Sequence, residues 1–189
     1  MKIFFDTEFT GLHKNTTLIS IGCVDENGRE FYAEFNDYAD NQCDDWIEEN
    51  VIRHLKYRRA LTNKTYTDKS DLNYTGVNGD REYVIKEFKK WLSKYDNVQF
   101  VSDVCHYDMV LLIDYLFGGA FDLPEGVSAV CHDLNQDIAS YFGWTDAKAF
   151  DESREGMLDS PIEGNKHNSL YDAKVIKALY EKFHRKYSY

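Results

Sequence analysis

Two carboxylate side chains near the amino terminus are the first residues of this chain whose types and spacing could do chemistry. Asp6 and Glu8 follow the apolar run Ile3-Phe4-Phe5, which is typical of a buried central strand. Alternate residues of a strand share one face, so the two acids should lie about 7 Å apart on that face. Such carboxylates repel each other, and a hard divalent cation such as Mg²⁺ or Mn²⁺ removes the repulsion. The pair therefore indicates a metal site, and the alternative is a strand that merely ends in polar residues at the surface.

Two further acids and one histidine are predicted on or beside helices. Asp108 falls in the first turn of a helix after the predicted strand 98–102, bordering its apolar stripe. The alternative role for Asp108 is to complement the helix dipole, and Asp103 offers the same chemistry in second rank. Asp172 lies on the buried flank of the closing helix, where a bare carboxylate is costly unless it is paired or binds metal. His167 precedes that helix in a polar loop.

The elements that must position these side chains follow from hydrophobic periodicity. The pattern predicts a three-stranded antiparallel meander over residues 2–7, 16–24 and 29–35, and parallel strands at 98–102 and 127–130. The helical period predicts five helices, at about 44–57, 81–95, 107–117, 132–142 and 168–186. This order favours an α/β fold, a mixed sheet with helices on both faces.

Two stretches have a polar composition and no apolar period. Residues 58–81 and 144–166 are predicted to be irregular. We interpret 58–81 as a flexible insertion or flap, in which Arg58, Arg59, Lys64, Lys69 and Arg81 would help to recruit a phosphate backbone. An inert insertion would have the same composition.

Composition bounds the remaining possibilities. The 189 residues, 43% hydrophobic and 29% charged, predict one globular domain rather than a disordered chain. No apolar run reaches membrane-spanning length, and an acid at position 6 comes too early for a signal peptide. The four scattered cysteines indicate free thiols in the cytoplasm. The net charge of −11 excludes a broadly basic nucleic-acid-binding surface.

Taken together, the acids resemble the DEDDh family of 3′→5′ exonucleases, whose members have a ribonuclease H-like fold. Three motifs carry the resemblance, over nearly the whole chain: Phe5-Asp6-Thr7-Glu8 with Thr10-Gly11-Leu12, Cys105 to Leu112 around Asp108, and His167-Asn168-Ser169-Leu170-Tyr171-Asp172-Ala173. Asp6-Thr7-Glu8-Phe9 and the run from Leu18 to Gly22 are similar to the small bacterial and phage exoribonuclease-like branch. One position departs from the pattern: many relatives carry Asn four residues before the second-motif acid, where this chain has Val104.

The resemblance implies a role for each of these residues. Asp6, Glu8, Asp108 and Asp172 would hold two Mg²⁺ or Mn²⁺ ions, and His167 would act as general base. The substrate would be the 3′ end of a single-stranded RNA or DNA. Its terminal nucleotide would contact the turn after the first strand and one nearby aromatic ring, that is, Phe9, Thr10, Gly11, Leu12 and Tyr107. The product would be a nucleoside 5′-monophosphate.

Three alternatives stay open on sequence. The chain could act on DNA ends rather than RNA ends, or it could be a stand-alone DNA proofreading partner. It could also be a non-catalytic nucleic-acid-binding module on the same fold. The sequence leaves open whether the chain forms a homo-oligomer.

Overall fold

The computed structural model describes residues 1–58, 60–67 and 72–184. Arg59 and Lys69 of the predicted flap, and residues 185–186 of the predicted closing helix, lie outside this range. The described residues form seven strands, which are β1 (Lys2–Phe9), β2 (Leu18–Asp25), β3 (Glu30–Phe35), β4 (Lys64–Thr67), β5 (Tyr74–Gly79), β6 (Val98–Ser102) and β7 (Val127–Asp133).

All seven strands belong to one sheet, in the order β4-β5-β3-β2-β1-β6-β7. β1, β2 and β3 form the predicted antiparallel meander. β6 pairs parallel with β1, and β7 pairs parallel with β6. β1 therefore lies inside the sheet with a neighbour on each side, and its apolar run from Ile3 to Phe5 is buried.

The helices cover both faces of this sheet, as predicted. In chain order they are α1 (Asp45–Asn50), α2 (Arg81–Leu92), α3 (His106–Val110), α4 (Leu134–Phe142), α5 (Asp146–Asp151) and α6 (Ser169–Phe183). α2 and α3 pack with Ile3 and Phe5 in the core of one face. α4, α5 and α6 pack with Phe4 in the core of the other.

Several helix bounds differ from the sequence prediction. α1 is shorter than predicted and is followed by a 3-10 turn at Ile52–His54. α3 continues as a π-helical stretch, Leu111–Phe117, which ends at Gly118 with a φ of 89°. A glycine tolerates this left-handed backbone without steric cost, and the helix therefore stops where the sequence predicted.

The prediction of an irregular segment over residues 58–81 is wrong where β4 and β5 form. The two strands pair as a hairpin, and β5 also pairs parallel with β3. β5 contains Gly76, Asn78 and Gly79, which are poor strand formers, so local propensity concealed it. A Cβ at Gly76 would lie 1.9 Å from the Tyr57 hydroxyl oxygen, so a larger residue there would have to displace the Tyr57 side chain. Pairing with β3 and β4, and not the local sequence, therefore makes β5 a strand.

The segment 144–166, also predicted to be irregular, contains α5 and a 3-10 turn at Glu155–Met157. The Thr145 side chain caps α5 by accepting a hydrogen bond from the Lys148 backbone N–H. Such a cap compensates for the absence of a long apolar period. All four cysteines are reduced thiols. Among the helices of the described ranges, none is both long enough and apolar enough to span a membrane.

Candidate active site

β1 directs its two acids towards α6. Phe4 belongs to the α6-side core while Ile3 and Phe5 belong to the opposite one, so Asp6 and Glu8, two and four residues after Phe4, share the α6 face. Carboxylate oxygens of Asp6, Glu8 and Asp172 all lie within 4.8 Å of one another. The structure thus brings together three of the four acids that the resemblance implies as metal ligands.

The close approach of α6 to the sheet depends on a residue without a side chain. Gly22 on β2 lies opposite Asp6 in the β1–β2 ladder, and a Cβ at Gly22 would lie 2.2 Å from the Leu170 backbone nitrogen. Beside it, the hydroxyl groups of Ser20 and Ser169 are hydrogen-bonded at 2.9 Å. These contacts place the first turn of α6, and with it Asp172, directly over the acids of β1.

Asp108 reaches the same region from the first turn of α3. The Thr7 backbone N–H and hydroxyl both donate hydrogen bonds to Asp108 Oδ1, at 3.0 and 2.5 Å. Thr7 lies between Asp6 and Glu8 on β1, so this contact ties the fourth acid to the strand that carries the first two. The Asp108 residue is only 8% exposed. An acid that only complements a helix dipole is normally solvated, so this burial favours a role at the site.

Burial and mutual repulsion make these carboxylates hard to ionise. Burial is the largest cause and raises the pKa of Asp6 well above its usual range, with the charges of Asp108, Asp172 and Glu8 adding to it. Burial likewise raises the pKa of Glu8. The pKa of Asp108 rises to about 6 and that of Asp172 to about 7, again mainly through burial. Four acids in this state need positive charge among them to be ionised together.

His167 stands at the edge of the acid cluster. Its backbone has a φ of 63°, and its N–H donates a 2.9 Å hydrogen bond to Asp172 Oδ2. The imidazole packs edge-on against Trp46, with ring centroids 4.9 Å apart. Burial, with the charge of Lys166, lowers the pKa of His167. The ring is therefore neutral at neutral pH and can accept a proton.

Asp103, the second-ranked acid of the sequence analysis, is occupied elsewhere. The Arg154 guanidinium donates to both of its carboxylate oxygens, through Nε at 2.6 Å and Nη2 at 3.0 Å. The same guanidinium donates to the Ala149 carbonyl and to Asn135 Oδ1. A bidentate pair of this kind neutralises the carboxylate, so Asp108 and not Asp103 is the candidate fourth ligand.

The acids open into a cleft of about 830 Å³. Of the predicted nucleotide contacts, Phe9, Gly11 and Leu12 line this cleft. Thr10 does not: it is buried, and its hydroxyl bonds to Gln42 Oε1 and accepts from the Thr17 backbone N–H. Its role here is to hold the turn. The Tyr107 ring stacks on Phe9 with centroids 5.7 Å apart.

Sequence reasoning missed several residues of the cleft wall, among them Trp46, Phe150 and Arg154. Trp46 and Phe150 are large, exposed and apolar, at 52% and 62%, and Arg154 organises the segment after α5. An exposed tryptophan could have been noticed, but nothing in the sequence connects Arg154 with Asp103, 51 residues away. Val104 also lines the cleft, with a φ of 52° that is unusual for a β-branched residue.

The donor set fits divalent metal ions. It consists of carboxylate oxygens, the ligands that Mg²⁺ and Mn²⁺ prefer. Among the residues that the structure describes, none of the four acids takes part in a salt bridge with lysine or arginine, whereas Asp103 beside them does. The cluster thus has raised pKa values, close oxygens and no salt bridge to a lysine or arginine of the described residues, which is what a metal site requires.

Comparison with solved structures identifies the class of fold. Over 96% of its length the chain matches two structures with a TM-score of 0.59 and 11% identity. One is described as "3'-end specific recognition of histone mRNA stem-loop by 3'-exonuclease", of which the chain spans 62%, and the other is a full-length 3'-exonuclease, of which it spans 80%. The mixed seven-stranded sheet is thus the ribonuclease H-like fold of 3′-exonucleases, which confirms the predicted fold class.

The sequence comparison is more specific. The model of the 3'-5' exoribonuclease Rv2179c-like domain matches residues 1–183, and the chain belongs to this family of phosphodiester hydrolases. It is 38% identical over 136 residues to the 3'-5' exoribonuclease Rv2179c of Mycobacterium tuberculosis strain H37Rv, covering 72% of this chain and 73% of that protein. The exoribonuclease MT2234.1 of strain CDC 1551 matches to the same extent. A family of this type implies metal ions.

Proposed function

We propose that this enzyme removes nucleotides one at a time from the 3′ end of single-stranded RNA and releases nucleoside 5′-monophosphates. Two divalent cations, Mg²⁺ or Mn²⁺, and His167 as general base would carry the reaction. The supporting observation is the cluster of Asp6, Glu8 and Asp172 beside His167, with Asp108 tied to the same strand. The mycobacterial relatives, which are named 3'-5' exoribonucleases, support the choice of RNA.

The four acids divide into two groups around β1. Asp6, Glu8 and Asp172 would hold one cation, and Asp108 would hold the other together with Asp6. Bound cations would activate a water molecule and stabilise charge on the attacking and leaving oxygens of the phosphodiester. The chain's own contribution is to fix the carboxylates in place: Thr7 orients Asp108, and the His167 backbone N–H orients Asp172.

His167 is suited to take the proton from the attacking water. Its lowered pKa keeps the imidazole neutral, and its position before α6 places it beside the acids without using it to balance charge. Trp46 supports one side of the ring. A positioned base of this kind contributes typically about 10²–10⁴-fold to the rate.

The cleft wall offers contacts for an unpaired terminal base. Leu12 is 75% exposed on the turn after β1, and Phe9, Trp46 and Phe150 line the same cleft. Apolar and aromatic side chains of this kind hold unstacked bases without reading their sequence. This favours a single-stranded end over a duplex.

The charge of the cleft has a consequence for binding. Nine acids line it, against Arg154 and Lys166, and Arg154 is already paired with Asp103. An RNA backbone would be repelled by this surface without bound cations. We therefore expect weak binding and distributive digestion, in which the enzyme releases the RNA between cleavage steps. The cations would be needed to bind the substrate as well as to cleave it.

One experiment separates this function from its alternatives. Single-stranded RNA and DNA of the same sequence, labelled at the 5′ end, are incubated with the protein in Mg²⁺, in Mn²⁺ or in excess EDTA. A ladder that shortens from the 3′ end, faster for RNA than DNA and absent in EDTA, is the expected result. Asp6→Asn should abolish the ladder, while the control Asp151→Asn, which removes an exposed acid of the same cleft outside the cluster, should not.

The contrary outcomes are distinct. Faster digestion of DNA would show that the enzyme is an exodeoxyribonuclease. A circular RNA tested under the same conditions should stay intact, and its cutting would show that the enzyme is an endonuclease. Digestion in excess EDTA would remove the metal mechanism. Binding of RNA without any digestion would indicate that the protein is a non-catalytic nucleic-acid-binding module.

A further inference from the structure

A second group of potential metal ligands lies at the other end of α6. His132 comes from β7, Asp137 from α4, and His184 directly follows α6. Their ligand atoms all lie within 4.8 Å of one another. His132 Nε2 is 2.5 Å and His184 Nε2 is 3.6 Å from the same oxygen, Asp137 Oδ2. Three elements that are far apart in the sequence thus direct two imidazoles at one carboxylate.

The rings of both histidines are held in place. His184 Nδ1 is 2.9 Å from the Tyr180 backbone carbonyl oxygen, so Nδ1 donates this hydrogen bond, and in the neutral ring Nε2 then carries the lone pair. The Tyr180 ring stacks on His184 with centroids 4.0 Å apart and meets His132 edge-on at 5.4 Å. Tyr180 itself packs on Phe4 of β1. A histidine whose second nitrogen donates to a carbonyl is the usual arrangement of a metal ligand.

This arrangement can accept a positive charge, either as a proton or as a cation. The His184 Nε2 lone pair faces a carboxylate oxygen, so two acceptors oppose each other unless a proton or a cation lies between them. His132 Nε2 can donate to Asp137 Oδ2, but the same oxygen then also faces His184. A cation shared by the three groups satisfies all of them.

We propose that His132, Asp137 and His184 form a site for a transition metal ion of the Zn²⁺ class, separate from the carboxylate cluster. Two imidazoles and one carboxylate suit Zn²⁺, Co²⁺ or Ni²⁺, whereas Mg²⁺ requires oxygen ligands. Ligands about 2.1 Å from a tetrahedral zinc ion lie about 3.4 Å from each other. The 3.6 Å separation from His184 already fits, and the 2.5 Å pair needs to open by a side-chain rotation. Water would complete the fourth position.

Such a site would act on the fold. It would join β7, α4 and the C-terminal end of α6, and His184 lies about 18 Å along the helix from Asp172. A metal at His184 would therefore fix the far end of the helix whose first turn carries Asp172. The expected effect is stabilisation of the α6–sheet packing, and this inference does not depend on the proposed function.

The test uses the full chain with the substitution Asp6→Asn, which weakens metal binding at the carboxylate cluster. Excess Mg²⁺ is added to occupy the carboxylates that remain there. Co²⁺ should give the intense visible absorption of four-coordinate cobalt, and Zn²⁺ should remove it by displacement. Zn²⁺ should also raise Tm by several degrees, since it binds the folded state. In the Asp6→Asn protein, Asp137→Asn and His184→Gln should each abolish the cobalt absorption and the Tm increase. Each should lower the Co²⁺ affinity by more than about 100-fold, because about 100-fold is the largest loss expected when only an outer-shell partner of a ligand is removed.

His54→Ala is the matched control, because it removes an exposed histidine outside the site; it should keep both effects. Circular dichroism without metal shows whether a variant is folded, and His132→Gln replaces any variant that is not. Absorption that survives in Asp137→Asn and His184→Gln, or that is lost in His54→Ala, would overturn the proposal. Zn²⁺ that leaves Tm unchanged in the Asp6→Asn protein would also overturn it.

Discussion

His167 and Asp172 contact each other, yet their side chains should have separable roles. The bond between them uses the His167 backbone N–H, so His167→Ala keeps it and loses only the imidazole. Its kcat should fall by about 10²–10⁴-fold, with metal affinity little changed. Part of the lost rate should return at higher pH, where hydroxide is more available. Steady-state kinetics and calorimetric titration with Mn²⁺ measure the two quantities.

Asp172→Ala is the comparison, since it removes a ligand and should weaken Mn²⁺ binding itself. If His167→Ala lost metal as severely as Asp172→Ala, His167 would be a ligand and the general-base assignment would be wrong.

Val104 is a strained residue in the cleft wall. A β-branched residue with a φ of 52° costs about 1–2 kcal/mol relative to one that tolerates the left-handed region, such as asparagine. Val104→Asn should therefore raise the free energy of unfolding by about 1 kcal/mol, measured by urea denaturation. Val104→Ala is the control, because it shortens the side chain but lacks the polar group whose local hydrogen bonds let asparagine adopt the left-handed region. Equal effects of the two variants would show that packing, and not backbone strain, governs this position.

At the scale of elements, the contact between β2 and α6 sets the position of Asp172. The missing Cβ of Gly22 would lie against backbone atoms of Leu170 and Ser169, which cannot rotate away. Gly22→Ala should push the start of α6 from the sheet, reduce kcat/KM by more than about tenfold and cost about 1–3 kcal/mol of stability. Activity assays and chemical denaturation measure both.

Gly156→Ala is the matched control, since a Cβ there would meet only the Ser153 side chain at 3.7 Å. If Gly22→Ala kept full activity and Mn²⁺ affinity, the close approach at Gly22 would not be what positions Asp172.

The secondary structure elements also differ in how well the sequence predicted them. Asp6 and Glu8 were predicted to share a face because the period of a strand is two, and the structure agrees. The β4–β5 hairpin was missed because its strand character comes from pairing with β3 and from the space that Gly76 leaves for Tyr57. Nor does any local pattern join Arg154 to Asp103, or His184 to Asp137. Short-range periodicity was informative, whereas contacts between distant segments needed the fold.

At the scale of the whole molecule, the carboxylate cluster should make the stability of the metal-free protein depend on pH. The pKa values of Asp108 and Asp172 are raised to about 6 and about 7, and those of Asp6 and Glu8 are also raised. In the unfolded chain these groups titrate near pH 4. Between about pH 4 and pH 7 the folded state therefore binds more protons than the unfolded state, and stability falls as pH rises. In excess EDTA, Tm should be several degrees lower at pH 8 than at pH 5.

Divalent cations and one substitution should both remove this dependence. Mg²⁺ or Mn²⁺ should restore Tm at pH 8, because it binds the ionised acids of the folded state. Asp6→Asn removes the acid that all the others repel, so in EDTA its Tm should change less with pH than that of the wild-type protein, while Asp151→Asn should follow the wild type. Scanning calorimetry between pH 5 and pH 8, with and without EDTA, measures these differences. A metal-free wild-type Tm that stays level or rises across this interval would show that the four acids do not share the strained, proton-binding state that their burial indicates.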